Sequence, residues 1–243
     1  MDKMTTCPIC QTKVNKIITR IETIEGFERF LCENCCAIYI APDNYELPIY
    51  NKEYNDHFNR PSDINKAGIY AAKIANMMGY PNTNKSFIEI GPGNALIPFL
   101  LKEMGFKACA MDCAEDWCNY FYKKHGIAVY SSYLENFNAN VKFDFVYCSH
   151  VIEHSKNPLL FLEKLKNICN DNGKIFLATP DTYYYRNHFK DWKHLNTRNK
   201  FEHCFLYSKA SIQKLINMAG LQIVEFTRLE KYESMELLIK KRT

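Results

Sequence analysis

From residue 65 onward, short apolar runs alternate with segments in which apolar residues recur at helical spacing. The apolar runs predict strands at 87–90, 108–111, 128–130, 143–148, 173–178, 221–227 and 235–240. The helical spacing predicts helices at 65–78, 95–104, 114–125, 158–169 and 208–219. Strands that alternate with helices are typical of a parallel sheet covered on both faces. We therefore predict an α/β domain over most of the chain.

The first 40 residues have a different pattern, dominated by two Cys-x-x-Cys knuckles. Cys7 and Cys10 form the first, Cys32 and Cys35 the second, and residues 16–21 and 27–31 between them fit a short hairpin. Four thiolates at this spacing predict a structural Zn²⁺ site, because a redox motif would occur once, after a strand of a βαβ unit. Cys36 occupies a position where such ribbons usually carry glycine, and we predict that it is not a ligand. A filled four-thiolate site leaves no open position for chemistry, so the ribbon is expected to staple the N-terminus, and it can also shape a substrate site.

Composition narrows the class of protein. The 243 residues are 47% hydrophobic, and 31 basic against 27 acidic residues give a net charge of +4, too balanced to imply nucleic acid by itself. No run approaches the about 18 apolar residues of a membrane span, and the N-terminus has no apolar signal core. Eleven cysteines, five of them before residue 40, fit reduced thiols and a metal site better than disulfides. These features predict a cytoplasmic protein without a membrane partner.

The strand at 87–90 leads into Gly91-Pro92-Gly93-Asn94-Ala95, a tight turn that enters a helix. Glycines permit close approach of a ligand to the backbone, and a helix start offers free N–H groups. Leu96 stands where a dinucleotide fingerprint needs its third glycine, and no Gly-Lys-Ser/Thr follows for a phosphate loop. Asp112, after the next strand, suits a carboxylate that receives ribose hydroxyls. Taken alone, the stretch also fits an ordinary strand-turn-helix with incidental glycines.

Glu89-x-Gly91-x-Gly93, followed by Asp112, resembles the first two motifs of the class I S-adenosylmethionine-dependent methyltransferases. The resemblance implies a Rossmann-like, seven-stranded, mostly parallel sheet with helices on both faces and a closing antiparallel hairpin. It implies that Glu89, Gly91, Pro92 and Gly93 hold the methionine part of S-adenosylmethionine and that Asp112 binds its ribose. Around the adenine it implies Tyr133, Leu134 and Glu135, with Tyr133 where many relatives have aspartate, and it adds Ser149 as a further cofactor-binding residue.

The N-terminal segment resembles the module of a bacterial methyltransferase group that carries a zinc ribbon before the catalytic domain. The implied organisation is a ribbon and linker at 1–50 and a methyltransferase domain at 51–243. Within that domain, 51–85 forms a leading helix and 181–207 a lid over the acceptor.

The pentapeptide His150-Val151-Ile152-Glu153-His154 follows the predicted strand 143–148, so it faces the ligand crevice of a parallel sheet. It matches the inverted zinc-protease signature, but a preceding strand and Pro158 leave too short a helix for that site. It also resembles the methyltransferase stretch after the fourth strand, where His150 or His154 can act as general base. Two alternatives stay open. His150, Glu153 and His154 can bind a divalent ion, as in quinone-type O-methyltransferases, or Glu153 and His154 can simply brace the loop.

The segment 181–207 carries Glu202-His203, which resembles a segment that covers the acceptor pocket and makes His203 a second candidate base. Its aromatic residues are interleaved with Arg186, Lys190, Lys193, Arg198 and Lys200, which can clamp an anionic molecule. We therefore expect O- or C-methylation of a small polar or anionic acceptor, a sugar or nucleotide sugar. The alternatives are an RNA methyltransferase and a non-catalytic binding module with a vestigial cofactor fold.

Overall fold

The computed structural model describes residues 5–15, 17–20, 28–40, 61–138, 140–184 and 203–242. The strands, in chain order, are β1 (Thr5–Thr6), β2 (Lys13–Val14), β3 (Ile17–Arg20), β4 (Glu28–Leu31), β5 (Ile38–Ile40), β6 (Ser86–Ile90), β7 (Lys107–Asp112), β8 (Val129–Ser131), β9 (Phe143–Ser149), β10 (Cys169–Pro180), β11 (Phe205–Leu206), β12 (Leu221–Leu229) and β13 (Ser234–Lys241). The α-helices are α1 (Pro61–Met78), α2 (Leu96–Glu103), α3 (Glu115–His125), α4 (Pro158–Ile168) and α5 (Lys209–Met218). Short 3₁₀ turns span Leu134–Asn136, Ile152–His154 and Glu230–Tyr232.

The central sheet has seven strands in the order β12-β13-β10-β9-β6-β7-β8. Strands β6 to β10 are parallel to one another, whereas β13 runs antiparallel to both β10 and β12. The predicted Rossmann-like fold and its closing hairpin are confirmed. The strand order reverses at β6, between β7 and β9, which is where an open α/β sheet forms a ligand crevice at its carboxyl edge.

The core lies on both faces of this sheet, because successive strand residues point to opposite sides. On one face, Phe87 and Phe145 stack with ring centroids 6.2 Å apart, in the same buried cluster as Ile74 of α1. On the other face, Ile88 and Val146 belong to the cluster that includes α4 and α5. The two strands that flank the crevice are therefore fixed from both sides.

The N-terminal module forms a second, antiparallel sheet in the order β11-β5-β4-β3. Its β3–β4 hairpin matches the hairpin expected between the knuckles. Its fourth strand, β11, comes from the far end of the chain and pairs Phe205 with Tyr39 and Leu206 with Ile38. The ribbon is thus joined to the catalytic domain by a shared sheet.

The observed bounds differ most from the predicted ones at α1, which begins at Pro61 rather than at 65, and at β10, which begins at Cys169 rather than at 173. The polar Asn170-Asp171-Asn172 run hides this start, and the pairing with β9 is irregular between Cys169 and Lys174. Among the described residues, no helix is both long and apolar enough to cross a bilayer.

Candidate active site

The turn after β6 takes left-handed backbone angles at Gly91, Gly93 and Ala95, with φ of 64°, 57° and 53°. A Cβ on Gly91 would lie 2.6 Å from Val151 Cγ2, so the turn and the histidine loop pack too closely for any side chain there. The indole Nε1 of Trp117 donates to the Gly93 carbonyl at 2.7 Å, which ties the turn to α3. Val151 packs on one side of the turn, Trp117 holds it on another, and a third side is open to a cavity.

A cavity of about 810 Å³ opens on that third side, at the carboxyl ends of β6, β7 and β9. His150, His154 and His203 line it at one end. The residues that the sequence predicted for the cofactor all line it as well: Glu89, Gly91, Pro92, Gly93, Asp112, Tyr133, Leu134, Glu135 and Ser149. The structure thus brings both sequence motifs to a single cavity.

Two carboxyl groups face this cavity from neighbouring strands. Glu89 is buried, and its Oε2 has no hydrogen-bond partner among the described residues. Burial raises the pKa of Glu89 well above its usual range. Asp112 Oδ1 accepts a hydrogen bond from the Ala114 N–H at 2.9 Å; burial raises the pKa of Asp112, and its backbone hydrogen bonds oppose that rise. Both groups are placed to receive hydrogen-bond donors from a ligand.

The loop after β8 forms the next part of the cavity wall. Tyr133 is exposed, whereas Leu134 is buried, and Glu135 accepts a hydrogen bond from the Ser155 hydroxyl at 2.6 Å. The bond from Ser155 fixes this loop to the segment that follows the histidine loop. An aromatic face and a buried aliphatic side chain can hold a flat ring between them.

The histidine loop starts at the end of β9 and is held by β10. His150 has a left-handed φ of 56°, and its N–H donates to the Ala178 carbonyl at 2.9 Å. Glu153 is fully buried behind the loop, outside the cavity lining, with Oε1 3.2 Å from His150 Nδ1 and Oε2 accepting from the Thr179 hydroxyl at 3.1 Å. Burial alone would raise the pKa of Glu153, but the His150 contact and the charges of His150, His154 and His203 lower it to about 2. Glu153 therefore contacts His150 and Thr179 from outside the cavity lining.

His154 and His203 meet edge to face, with ring centroids 4.8 Å apart. Burial, together with His154, Arg29 and His150, lowers the pKa of His203 to about 3, against the opposing effect of Glu153. One ligand atom each from Glu153, His154 and His203 lie within 4.8 Å of one another. His150 is not in this group, so the candidate ion site differs from the expected His150, Glu153 and His154 set.

The local geometry also excludes the zinc-protease alternative. β9 ends at Ser149, and only Ile152–His154 form a 3₁₀ turn, so the two histidines of the pentapeptide do not share a helix. A protease of that type needs both on one helical face.

The chain matches the model of a known protein family over the domain that contains the cavity. Residues 63–226, two thirds of the chain, match the family model described as a methyltransferase domain. The chain belongs to this methyltransferase family. It is a class I S-adenosylmethionine-dependent methyltransferase, as the sequence motifs predicted. The sequence has no significant match among curated proteins.

Solved structures share the methyltransferase fold at low sequence identity. One is 1,6-didemethyltoxoflavin-N1-methyltransferase from Burkholderia thailandensis, bound to 1,6-didemethyltoxoflavin and S-adenosylhomocysteine, at 9% identity and a TM-score of 0.59 over 90% of this chain and 97% of that one. Another is magnesium protoporphyrin IX methyltransferase from Synechocystis PCC 6803, bound to SAH. It aligns at 15% identity with a TM-score of 0.57, over 81% of this chain and 90% of that one. An S-adenosylmethionine-dependent methyltransferase from Clostridium acetobutylicum ATCC 824 aligns at 15% identity with a TM-score of 0.56, over 73% of this chain and 92% of that one.

The methyltransferase cavity fits the cofactor that its family uses. S-adenosylmethionine carries an ammonium, a sulfonium and a ribose diol, and the unpaired Glu89 oxygen and Asp112 offer acceptors for such groups. The volume of about 810 Å³ also lies within the range of pockets for small molecules and cofactors, about 300–1,000 Å³.

The methyltransferase also carries the expected cysteine cluster, and none of its four cysteines lines this cavity. The Sγ atoms of Cys7, Cys10, Cys32 and Cys35 all lie within 4.8 Å of one another, with Cys7 and Cys35 3.7 Å apart and Cys10 and Cys32 3.4 Å apart. Zinc–sulfur bonds of about 2.3 Å in a tetrahedron separate the sulfurs by about 3.8 Å, so the donor set fits Zn²⁺. Cys36 is outside this group and has a φ of 57°, the left-handed angle for which ribbons usually use glycine.

The sequence alone did not indicate three further residues of the cavity lining. Lys66 and Tyr70 of α1 and Lys156 line the cavity, and the Tyr70 hydroxyl donates to Glu236. Lys66 and Tyr70 are four residues apart on the predicted helix, so their shared face was readable. The approach of that face to the cavity depends on tertiary packing, which no local pattern encodes.

Proposed function

We propose that this methyltransferase acts on a nucleophilic oxygen or carbon of a small polar or anionic acceptor, in the first place a sugar or nucleotide sugar. The observation that carries the proposal is the shared cavity. The cofactor residues line one part of it, and the histidines, Lys66 and Lys156 line the remainder. S-adenosylmethionine supplies the methyl group when bound. The protein's task is to align an acceptor with that group and to exclude water.

On the donor side, we propose that Glu89 and the Gly91–Gly93 turn hold the methionine part and that Asp112 accepts the ribose hydroxyls. Tyr133, Leu134, Glu135 and Ser149 are proposed to surround the adenine. The support is that each of these residues lines the cavity and that Glu89 Oε2 has no hydrogen-bond partner among the described residues.

On the acceptor side, we propose that His154 or His150 accepts the proton released by a hydroxyl acceptor. Both line the cavity, and Glu153 supports His150 as a buried carboxylate supports a catalytic histidine in other enzymes. His203 lies beside His154, but a pKa lowered to about 3 makes it a weak proton acceptor.

A second possibility is a divalent ion bound by Glu153, His154 and His203. The closeness of their ligand atoms favours it, and two histidines with one carboxylate are a common set for such ions. An ion there would bind the acceptor oxygen directly. Equilibrium dialysis against Mn²⁺ distinguishes the two: a site lost in Glu153→Gln supports the ion, and no binding beyond the ribbon metal supports the base.

The chemistry of the walls favours an anionic acceptor. Lys66 and Lys156 offer positive charge at the cavity, and Tyr70 offers an aromatic face. The basic residues at 186–200 and Glu202 lie outside the described residues, so their part in a lid over 181–207 stays a prediction. Of that segment, Asp181, Thr182 and 204–207 are buried against the rest of the protein.

The experiment is a transfer screen with S-adenosylmethionine labelled in the methyl group. Purified protein is incubated with anionic small-molecule extracts, a panel of nucleotide sugars, and total RNA, with Gly93→Arg as the control that lacks cofactor binding. Label in the small-molecule fraction supports the proposal. Label confined to RNA, with steep salt dependence, would establish the RNA alternative instead.

A further inference from the structure

The residues from His203 to Ser208 lie between the cysteine ribbon and the histidine loop. On the ribbon side, β11 pairs with β5, and the Ile40 N–H donates to the Cys204 carbonyl at 3.0 Å. On the other side, the Cys204 thiol donates to the His154 carbonyl at 3.2 Å, and the Tyr207 hydroxyl donates to the Ile152 carbonyl at 3.2 Å. One short segment therefore connects both structures.

Aromatic packing stiffens this connection. Phe30 of β4 stacks on Tyr39 of β5, Tyr39 on Phe205 of β11, and Phe205 on Tyr207, with centroid separations of 5.8, 6.3 and 5.8 Å. All four rings are buried. A continuous stack of large buried rings transmits displacement, because a packed interior has few voids to absorb it.

The second knuckle is attached to the same region. The Ser208 hydroxyl, at the N-cap of α5, donates to the Cys35 carbonyl at 2.6 Å, and the Thr182 hydroxyl donates to the Cys36 carbonyl at 3.2 Å. The second knuckle is therefore hydrogen-bonded to Thr182, which follows β10, and to Ser208, which follows β11.

Arg29 of β4 contacts the histidine segment directly. Its side chain is fully buried, and Nη1 lies 3.4 Å from the His203 carbonyl, to which it donates. Removing a guanidinium from water costs several kcal/mol in real proteins, so its burial needs compensating contacts. Here at least one of those contacts lies at a residue that lines the cavity.

We infer that the cysteine ribbon supports the acceptor-side wall of the active site through the segment 203–208, and that Arg29 is a positioning residue that fixes His203 beside His154. This inference rests on the proposed assignment of the histidine side to the acceptor. It gives the ribbon a role beyond stapling the N-terminus. It also predicts that damage to the ribbon affects the acceptor side before the cofactor side.

The test compares Arg29→Met and Arg29→Lys with a matched control, Lys13→Met, which removes an exposed cation from the ribbon strand β2. His203 ring signals are followed in ¹⁵N-histidine NMR spectra and assigned with His203→Gln. Deuterium uptake of 203–207 and S-adenosylhomocysteine binding by calorimetry are measured on the same samples.

Arg29→Met is expected to shift the His203 signals and to speed exchange at 203–207 about tenfold or more, while the cofactor affinity stays within about twofold. Arg29→Lys should move both readouts less, and Lys13→Met should leave them unchanged. Should Arg29→Met fail to fold, Arg29→Lys decides the question by the same readouts.

Unchanged His203 signals in either folded Arg29 variant overturn the inference. A parallel loss of cofactor affinity also overturns it, because the ribbon would then support the whole fold. These readouts use no turnover, so they are separate from a failure of the proposed function, which would appear as absent methyl transfer by the wild-type protein.

Discussion

At the scale of single residues, the turn after β6 shows why the cofactor motif has glycine at position 91. Ala95 adopts a left-handed φ in the same turn, so positive φ alone does not require glycine at 91. The decisive contact is Val151, whose Cγ2 occupies the space of a Cβ at Gly91. The sequence displays the glycines, but it does not reveal that one of them is needed because the histidine loop packs against it.

Gly91→Ala is expected to lower the free energy of unfolding by about 1–3 kcal/mol through overpacking and to weaken S-adenosylhomocysteine binding. Because Val151 is the cause, the double variant Gly91→Ala/Val151→Ala should recover more than half of the loss. Chemical unfolding and calorimetry on wild type, both single variants and the double variant measure the coupling. Additive effects of the two substitutions would show that Val151 is not responsible.

Glu89 gives a prediction that depends on pH. Its pKa is raised by burial, so the carboxyl is protonated over a wider pH range before the cofactor binds. A cationic ligand group beside it lowers that pKa, so binding releases a proton and cofactor affinity rises with pH.

Calorimetry of S-adenosylmethionine binding in buffers of different ionisation enthalpy should detect this proton, and Glu89→Gln should remove it. Because the folded pKa lies above the unfolded value of about 4.3, Glu89 also lowers the stability of the ligand-free protein as pH rises above that value. Glu89→Gln should therefore be the more stable protein at pH 8. Buffer-independent binding enthalpy in the wild type would contradict the role.

His154→Ala tests the base. If His154 accepts the proton, turnover should fall by about 10²–10⁴ while cofactor affinity is retained. His125→Ala, at the far end of α3, is the matched histidine control and should keep wild-type turnover. Undiminished turnover in His154→Ala rules out this role.

At the scale of elements, the sequence predicted the strands of the central sheet and its helices because apolar runs and helical spacing alternate regularly from residue 65 onward. It did not predict β11, since Phe205–Leu206 is too short to carry a period and its partner β5 lies far away in sequence. For the same reason the sequence did not predict the contacts between the ribbon and the segment that contains His203. The motif residues were found because their spacing is local, whereas Lys66, Tyr70 and Arg29 reach the site by packing.

The ribbon is expected to bind one zinc ion through four sulfurs, and X-ray absorption should count them. Chelation or Cys10→Ser should lower the thermal midpoint, because the small β1–β2 and β3–β4 pairs have little core without the metal. Cys36→Ser should leave the metal content unchanged. Fewer than four sulfurs per zinc would contradict the four-thiolate site.

At the scale of the whole molecule, we propose that the methyl donor and the acceptor occupy different parts of one cavity. The proposed cofactor contacts lie at the carboxyl ends of β6, β7, β8 and β9, and the histidine loop, α1 and His203 contribute further lining residues. Two proteins with the same fold, at 9% and 15% identity, are named as methyltransferases of 1,6-didemethyltoxoflavin and of magnesium protoporphyrin IX. The family match therefore identifies the methyl donor, whereas the acceptor must be identified by experiment.

The most direct test of this account is calorimetric titration of S-adenosylhomocysteine into the wild-type protein and into Gly93→Arg. We expect one binding site per chain in the wild type and none in the variant, because an arginine at the left-handed Gly93 position fills the cavity beside the turn. Absence of binding by folded wild-type protein, or equal binding by Gly93→Arg, would contradict it.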